Sequence, residues 1–351
     1  MNNEIDKIKD KIFNSEEYSF LRNNNKLNNN KLNNNIVLLT LGGSHAYGTS
    51  LDSTISDVDV RGITLNTPKE ILTMHYRDKP YEDKETDSVI YPLGQIVQLL
   101  TNANPNVIEM LGCESDHYFI LKDEGKLLKD NIEVFLSKRV IQSFGGYATS
   151  QLRRLQNALA RDSYPQAEKE QHISNSIKRQ LIHFQNHYTK FDKDNVKIYL
   201  DKSEKEDFEQ EIFIDIDLKH YPLRDYKNIM SEMTNVIRDY NKLNNRNKKK
   251  DEPHLLKHGM HLIRLLITGT EILETKKVNT YRKNERELLL NIRNGKYSYD
   301  QIFMMVDEYE KKFDYASNNT ELPDKPDWDK INELTMNINK GVIDKWRSLK
   351  K

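Results

Sequence analysis

Apolar and polar positions follow two different periods along this 351-residue chain. Short strand-like runs dominate its first part, and from about Tyr147 onward apolar residues recur every three or four positions. Ile5, Ile8 and Ile12 are helically spaced, predicting an amphipathic helix within residues 3–22. Asn23–Asn35 follows as NNNKLNNNKLNNN. Asparagine side chains compete for backbone hydrogen bonds and offer little to bury, so an exposed linker is expected there. Ile36–Leu41 is a continuous apolar run that predicts a strand, and Asp57–Thr64 predicts a second. Pro68–Glu85 reads as a short helix and a loop. Thr86–Tyr91 alternates, with Asp87, Val89 and Tyr91 on one face and Ser88 and Ile90 on the other. Pro92 is suited to open the next helix, LGQIVQLLTNA, which Asn104-Pro105-Asn106 breaks before VIEML resumes.

Helical spacing then recurs over residues 145–161, 171–190, 223–244, 254–275 and 300–313. Glu211–Leu218 (EIFIDIDL) alternates instead, as an extra hairpin strand or an extended loop would, and Asn244–Asp251 is a solvated charge run. The expected class is α/β (α+β), a small mixed-sheet core followed by an α-helical carboxy-terminal domain. The boundaries fall at residues 1–35, 36–142 and 143–351.

The chemistry concentrates between the first two strands, in LTLGGSHAYGTSLDSTISDVDVRGITL from Leu39 to Leu65. Gly42 and Gly43 let the backbone approach a ligand without Cβ obstruction, so exposed N–H groups and the Ser44 hydroxyl can hold phosphate oxygens. Asp57 and Asp59 are two apart in a β-like run, which points both carboxylates to one side. Such a pair repels unless a cation lies between, and hard oxygen ligands favour Mg²⁺, or Mn²⁺ in its place. A phosphate cradle beside paired carboxylates suits metal-assisted nucleotidyl transfer.

This Gly-Ser turn, spacer and Asp-x-Asp pattern resembles the nucleotidyltransferase superfamily of DNA polymerase β. The longer form, GGSHAYGTS then SDVDVRG, resembles a narrower branch of bacterial and phage nucleotidyltransferases associated with RNA repair. The resemblance implies transfer of a nucleoside monophosphate from an NTP to an acceptor hydroxyl with loss of pyrophosphate, the acceptor being an RNA 3′ end such as that of a tRNA. A protein or small-molecule acceptor, or a non-catalytic nucleotide- or RNA-binding regulator, are the competing readings. The resemblance also implies a third carboxylate on a neighbouring strand, which Asp87 would supply as metal ligand or general base; a strand-edge aspartate facing water is the plainer reading.

Arg61 shares the face of Asp59 by parity, so its guanidinium can hold phosphate, orient the aspartates or simply pair with them. Lys257, His261, Arg264, Thr268 and Glu271 form one polar stripe on an otherwise apolar helix. Unpaired buried charge is costly, so the stripe must find partners. His261 and Arg264 would either reach the nucleotide in a cleft between the domains or build a polar network across helices. Glu109, beyond Asn104-Pro105-Asn106, is read mainly with a helix break and its cap.

Composition narrows these readings. Lys+Arg and Asp+Glu are equal at 54 each, so no global field draws nucleic acid, and an RNA partner must meet a local patch. The single cysteine, Cys113, excludes an internal disulfide and a multi-cysteine zinc site. With no apolar run of membrane-spanning length and no signal peptide, a cytoplasmic protein without a membrane partner is expected. Oligomeric state and nucleotide preference stay open.

Overall fold

The computed structural model describes residues 2–21, 35–51, 58–73, 79–163, 166–188, 190–202, 210–244 and 252–349. Asp57, nearly all of the Asn-rich repeat and nearly all of the charge run after Asn244 lie outside these residues. Two compact units emerge, one formed by Met1–Ala148 with Met260–Lys351 and the other by Thr149–Gly259.

In the first unit, α1 (Asn2–Asn14) precedes a mixed sheet of β1 (Ile36–Leu41), β2 (Val60–Thr64), β3 (Tyr81–Asp83), β4 (Ser88–Pro92) and β5 (Tyr118–Leu121). The spatial order is β3-β4-β2-β1-β5. Every residue of β1 is buried, as its unbroken apolar run requires of an inner strand. It pairs antiparallel with β2 and β5, and β2 pairs in parallel with β4, with Val60 opposite Ser88. That register puts Asp59 and Asp87, the residues just before the two parallel strands, at the same end of the sheet. Gly42 N donates to Asp59 O at 2.8 Å, continuing the β1–β2 ladder into the signature turn.

Short helices α2 (Gly43–Tyr47) and α3 (Pro68–Thr73) follow β1 and β2, and α4 (Leu93–Thr101) follows β4. The break before α5 (Pro105–Leu111) is capped by Asn104, whose side chain accepts from Asn106 N, with Pro105 in the first turn. Then come α6 (Asp123–Asp130) and α7 (Arg139–Ser163), whose first residues complete this part of the unit. After α10 (Glu252–Thr275), the unit ends with α11 (Arg286–Arg293), α12 (Tyr299–Asn319) and α13 (Trp328–Ser348). A capping box at Ser298 and Gln301 opens α12.

The second unit contains α8 (Gln166–His187), a hairpin of β6 (Val196–Lys202) and β7 (Gln210–Ile216), and α9 (Leu223–Asn244). The alternating run at Glu211 is thus the second strand of a hairpin, paired in register from Val196 opposite Ile216 to Lys202 opposite Gln210. Phe184, fully buried, packs edge-on against Phe191 in a core with Ile177, Leu181, Ile198 and Met233. Gln180 links Arg153 to Glu232, and Glu232 also accepts from the Tyr188 hydroxyl at 2.9 Å. No described helix is long and apolar enough to cross a membrane.

Candidate active site

The site forms where β1 ends and β2 and β4 begin. Gly43 has φ +54, a left-handed conformation that glycine adopts without a Cβ penalty. A second constraint acts on the same residue, because a Cβ there would overlap Asp59 Oδ2. Glycine is therefore required twice over. It turns the chain into α2, and it lets the carboxylate lie flat against the backbone. Ser44 is buried in the first turn of α2, and its carbonyl accepts from Thr49 N at 2.9 Å to close the turn.

Arg61 organises the acidic side. Its Nη2 donates to Asp59 Oδ1 at 3.1 Å and to Asp87 Oδ1 at 3.2 Å, while Nη1 donates to Val60 O at 3.0 Å and to Asp87 O. One guanidinium thus holds both carboxylates, an orientation that the rigid planar fork of arginine favours. The parity argument for Arg61 and Asp59 agrees with this geometry. Asp87 reaches the site differently from the strand expectation. It is a turn residue with φ +44, and β4 starts at Ser88. Aspartate tolerates this left-handed region better than most residues. The preceding turn is fixed by Asp83, whose Oδ1 accepts from Thr86 N and Oγ1 at 3.0 Å each.

A small cavity of about 70 Å³ adjoins Gly42, Gly43 and Arg61 and extends to Tyr47, Asn106 and Glu109. Glu109 is 3% exposed and accepts from Arg264 Nη1 through Oε1. The Arg264 guanidinium lies over the Tyr47 ring, 3.7 Å from its centroid, a cation–π arrangement. His261 meets the same ring edge-on at 6.1 Å. Burial first, with the neighbouring Glu109 charge adding to it, holds the Tyr47 phenol well above its ordinary range. Glu271 completes the stripe, pairing with Arg282 and accepting from Asn279 Nδ2 at 2.6 Å. Within the first unit, Arg264, His261 and Glu271 of this polar face thus meet Glu109, Tyr47 and Arg282, while the Thr268 hydroxyl is buried without a hydrogen bond. Outside that stripe, His258 Nδ1 lies 2.8 Å from Gln151 Oε1 within the second unit.

Several neighbours are not evident from sequence. The segment Thr280–Arg282 wraps the signature turn: Thr280 Oγ1 donates to Glu109 O, and Arg282 N donates to Tyr47 O at 3.2 Å. Arg293 donates to Thr49 O from α11. Tyr18 is buried near the acidic pair, and its phenol is pushed up to about 12 by burial, with Glu17, Asp83, Asp59 and Asp87 adding to the effect. His45 is buried, with Nδ1 3.8 Å from Glu4 Oε1. Cys113 is buried, donates to Glu109 O, and has its thiol pushed up to about 12 mainly by burial, far from nucleophilic.

Asp59 and Asp87 offer hard oxygens held on one guanidinium nitrogen, the donor chemistry that Mg²⁺ takes. Among the described residues, no group of three or more histidine, cysteine or acidic side chains forms a metal cluster. Asp57, the remaining acidic candidate, lies outside the described residues.

Residues 21–165 match the family model of RlaP, the RNA repair pathway DNA polymerase beta family. The matched segment contains the whole signature, the five strands and Asn104–Glu109, so this part of the chain is similar to the polymerase β-type nucleotidyltransferases of RNA repair. No curated protein and no solved structure gives a significant match.

Proposed function

We propose that the protein is a divalent-metal-dependent nucleotidyltransferase that moves a nucleoside monophosphate from an NTP to the 3′ hydroxyl of an RNA. The observation that carries this reading is the convergence of Asp59, Asp87 and Arg61 on the Gly43 turn. Asp59 and Asp87, joined by Asp57, would hold Mg²⁺ or Mn²⁺. When bound, the metal would neutralise charge building on the triphosphate and make the acceptor hydroxyl easier to ionise.

The chain's own groups account for the remaining tasks. Backbone N–H groups at the Gly43–Ser44 turn and the Ser44 hydroxyl hold phosphate oxygens. Arg61 keeps both carboxylates aimed at one point before any substrate arrives, so little reorganisation is needed at reaction. Asp87 takes the acceptor's proton; its greater exposure, 58% against 19% for Asp59, supports this role. The acceptor oxygen then bonds to the α-phosphorus as the α–β bridging bond breaks, and its electron pair leaves with pyrophosphate. Arg264 and His261 act from behind, fixing the Tyr47 wall of the cavity.

The test is label transfer from each α-labelled ribonucleoside triphosphate, with Mg²⁺ or Mn²⁺, into total RNA, total protein or small molecules. Asp59→Asn serves as the control. Label in RNA that disappears in Asp59→Asn supports the proposal. Label in protein instead corrects the acceptor, and no transfer from any nucleotide overturns the reaction.

A further inference from the structure

Arg293 is a cation without a counter-charge at the signature turn. It is half-buried on α11, and its Nη1 donates to Thr49 O, while Thr49 N closes the turn on Ser44 O at 2.9 Å. Burial, with no acidic neighbour to offset it, lowers the pKa of the guanidinium from its ordinary value. One carbonyl takes one of its five N–H donors. Arg286, seven residues earlier, shares a flank of α11 with Arg293 two turns away. Lys283 lies in the turn that leads into α11, and Lys296 lies just past its end. Lys283, Arg286 and Lys296 are exposed, and none of the four cations forms an ion pair among the described residues. The nearby acidic residues leave them so: Glu285 pairs with Arg282, and Glu287 lies on another side of α11 from Arg286 and Arg293. In a chain whose charges balance overall, this is a local cationic surface.

We infer that Lys283, Arg286, Arg293 and Lys296 bind the phosphate backbone of the acceptor RNA, with Arg293 as the contact at the signature turn. The inference rests on the nucleotidyltransferase reading above. The span of the surface decides between phosphate sources. Seven residues of helix separate Arg286 from Arg293 by about 10 Å along the axis. A triphosphate is one compact anion, for which the Gly43–Ser44 turn already provides. Cations spaced along a helix suit an anion that repeats in space, as a nucleic-acid backbone does. The planar fork of arginine also matches phosphate oxygens. Contacts of this kind carry no base preference, so the surface positions the strand behind the 3′ end and does not read its sequence.

The experiment measures binding of a short single-stranded RNA with a free 3′ hydroxyl across a range of salt concentrations. The full-length wild type is compared with the double variant Lys283→Glu, Arg286→Glu, whose exposed positions spare the fold. Four phosphate contacts predict a slope of about −3 for log affinity against log salt. The double variant should flatten that slope by about 1.4 and weaken RNA binding at least about tenfold at low salt. Triphosphate affinity with Mg²⁺ should hold, and label transfer should show a raised KM for RNA at constant kcat. Arg293→Gln should weaken RNA binding in the same direction. An RNA affinity and salt slope unchanged in the double variant would overturn the inference, while label entering RNA would leave the transferase reading intact. A loss of triphosphate affinity in its place would assign these cations to the nucleotide and overturn the RNA assignment. So would label that enters protein and is lost in the double variant, which would give the surface to an acidic protein. If the wild type transfers label to no acceptor, the transferase reading fails and this inference falls with it.

Discussion

Asp59 rests its carboxylate directly on Gly43, so closely that no side chain can stand at that position without moving it. Gly43→Ala should therefore damage both fold and chemistry. The positive φ and the displaced carboxylate together predict a loss of about 1–3 kcal/mol, read as a lower melting temperature. Transfer should fall about 100-fold, since a misplacement near 1 Å is enough for that. Gly341→Ala is the matched control: its Cβ meets nothing within 4 Å in α13, and its stability should rise by up to about 1 kcal/mol.

Removing the charge of Asp59 tests the metal assignment. Asp59→Asn preserves shape and leaves Arg61 a partner oxygen, so thermal unfolding should change little. Transition-state charge stabilisation by a metal is worth several kcal/mol, so transfer should drop at least about 100-fold. Single-turnover kinetics showing near-normal transfer in this variant would sink the assignment.

The buried Arg264–Glu109 pair should show strong non-additivity. Arg264→Leu leaves the Glu109 carboxylate buried without its counter-ion, which should cost about 3–5 kcal/mol in chemical denaturation. Replacing Glu109 by leucine in the same chain should recover much of that loss. A double variant as unstable as the sum of its single changes would show that packing against Tyr47, rather than charge, sets the cost.

His117 supplies a pH dependence. Burial lowers its pKa below the ordinary 6.5, and its Nδ1 is buried without a partner. A base depressed in the folded state adds stability that is fully present above its unfolded pKa and is lost as pH falls through the folded value. Melting temperature should therefore decline as the solution is acidified below about pH 6.5, where His117 begins to protonate in the unfolded chain. His117→Phe should flatten that decline, and an unchanged slope would assign it to another group.

In the second unit, Phe184→Ala should cost about 3–5 kcal/mol, because the ring is wholly buried against Tyr188 and Phe191. Amide exchange across β6 and β7 should accelerate with it, which would show that the hairpin depends on this core.

Much of this architecture was readable because period and punctuation agree in the sequence. The apolar run of β1 is an inner strand, the three-to-four spacing from Leu223 to Asn244 is α9, and Pro105 begins a helix after an asparagine cap. Less legible were β6 and α13. Charged residues dilute Val196–Lys202, and the apolar stripe of Ile331, Leu334 and Ile338 is narrow. At the site, Gly43, Asp59 and Arg61 are close in sequence, so local geometry exposed their relation. Asp87 shares Arg61 with Asp59 but lies ahead of β4 rather than within it, because in sequence a residue before a strand extends the strand's alternation. Glu109 gives no such local signal, because its ion-pair partner Arg264 lies far along the chain.

The parallel pairing of β2 with β4 has a kinetic meaning. Asp59 and Asp87 are distant in sequence and become neighbours only once that ladder closes. Parallel pairing requires a crossover, and its loop entropy must be lost before the contacts form. A chain that has collapsed, or has formed its helices, can still lack the pair. During refolding, return of transfer activity would therefore time the closing of one strand ladder, whereas helical circular dichroism would report much earlier events.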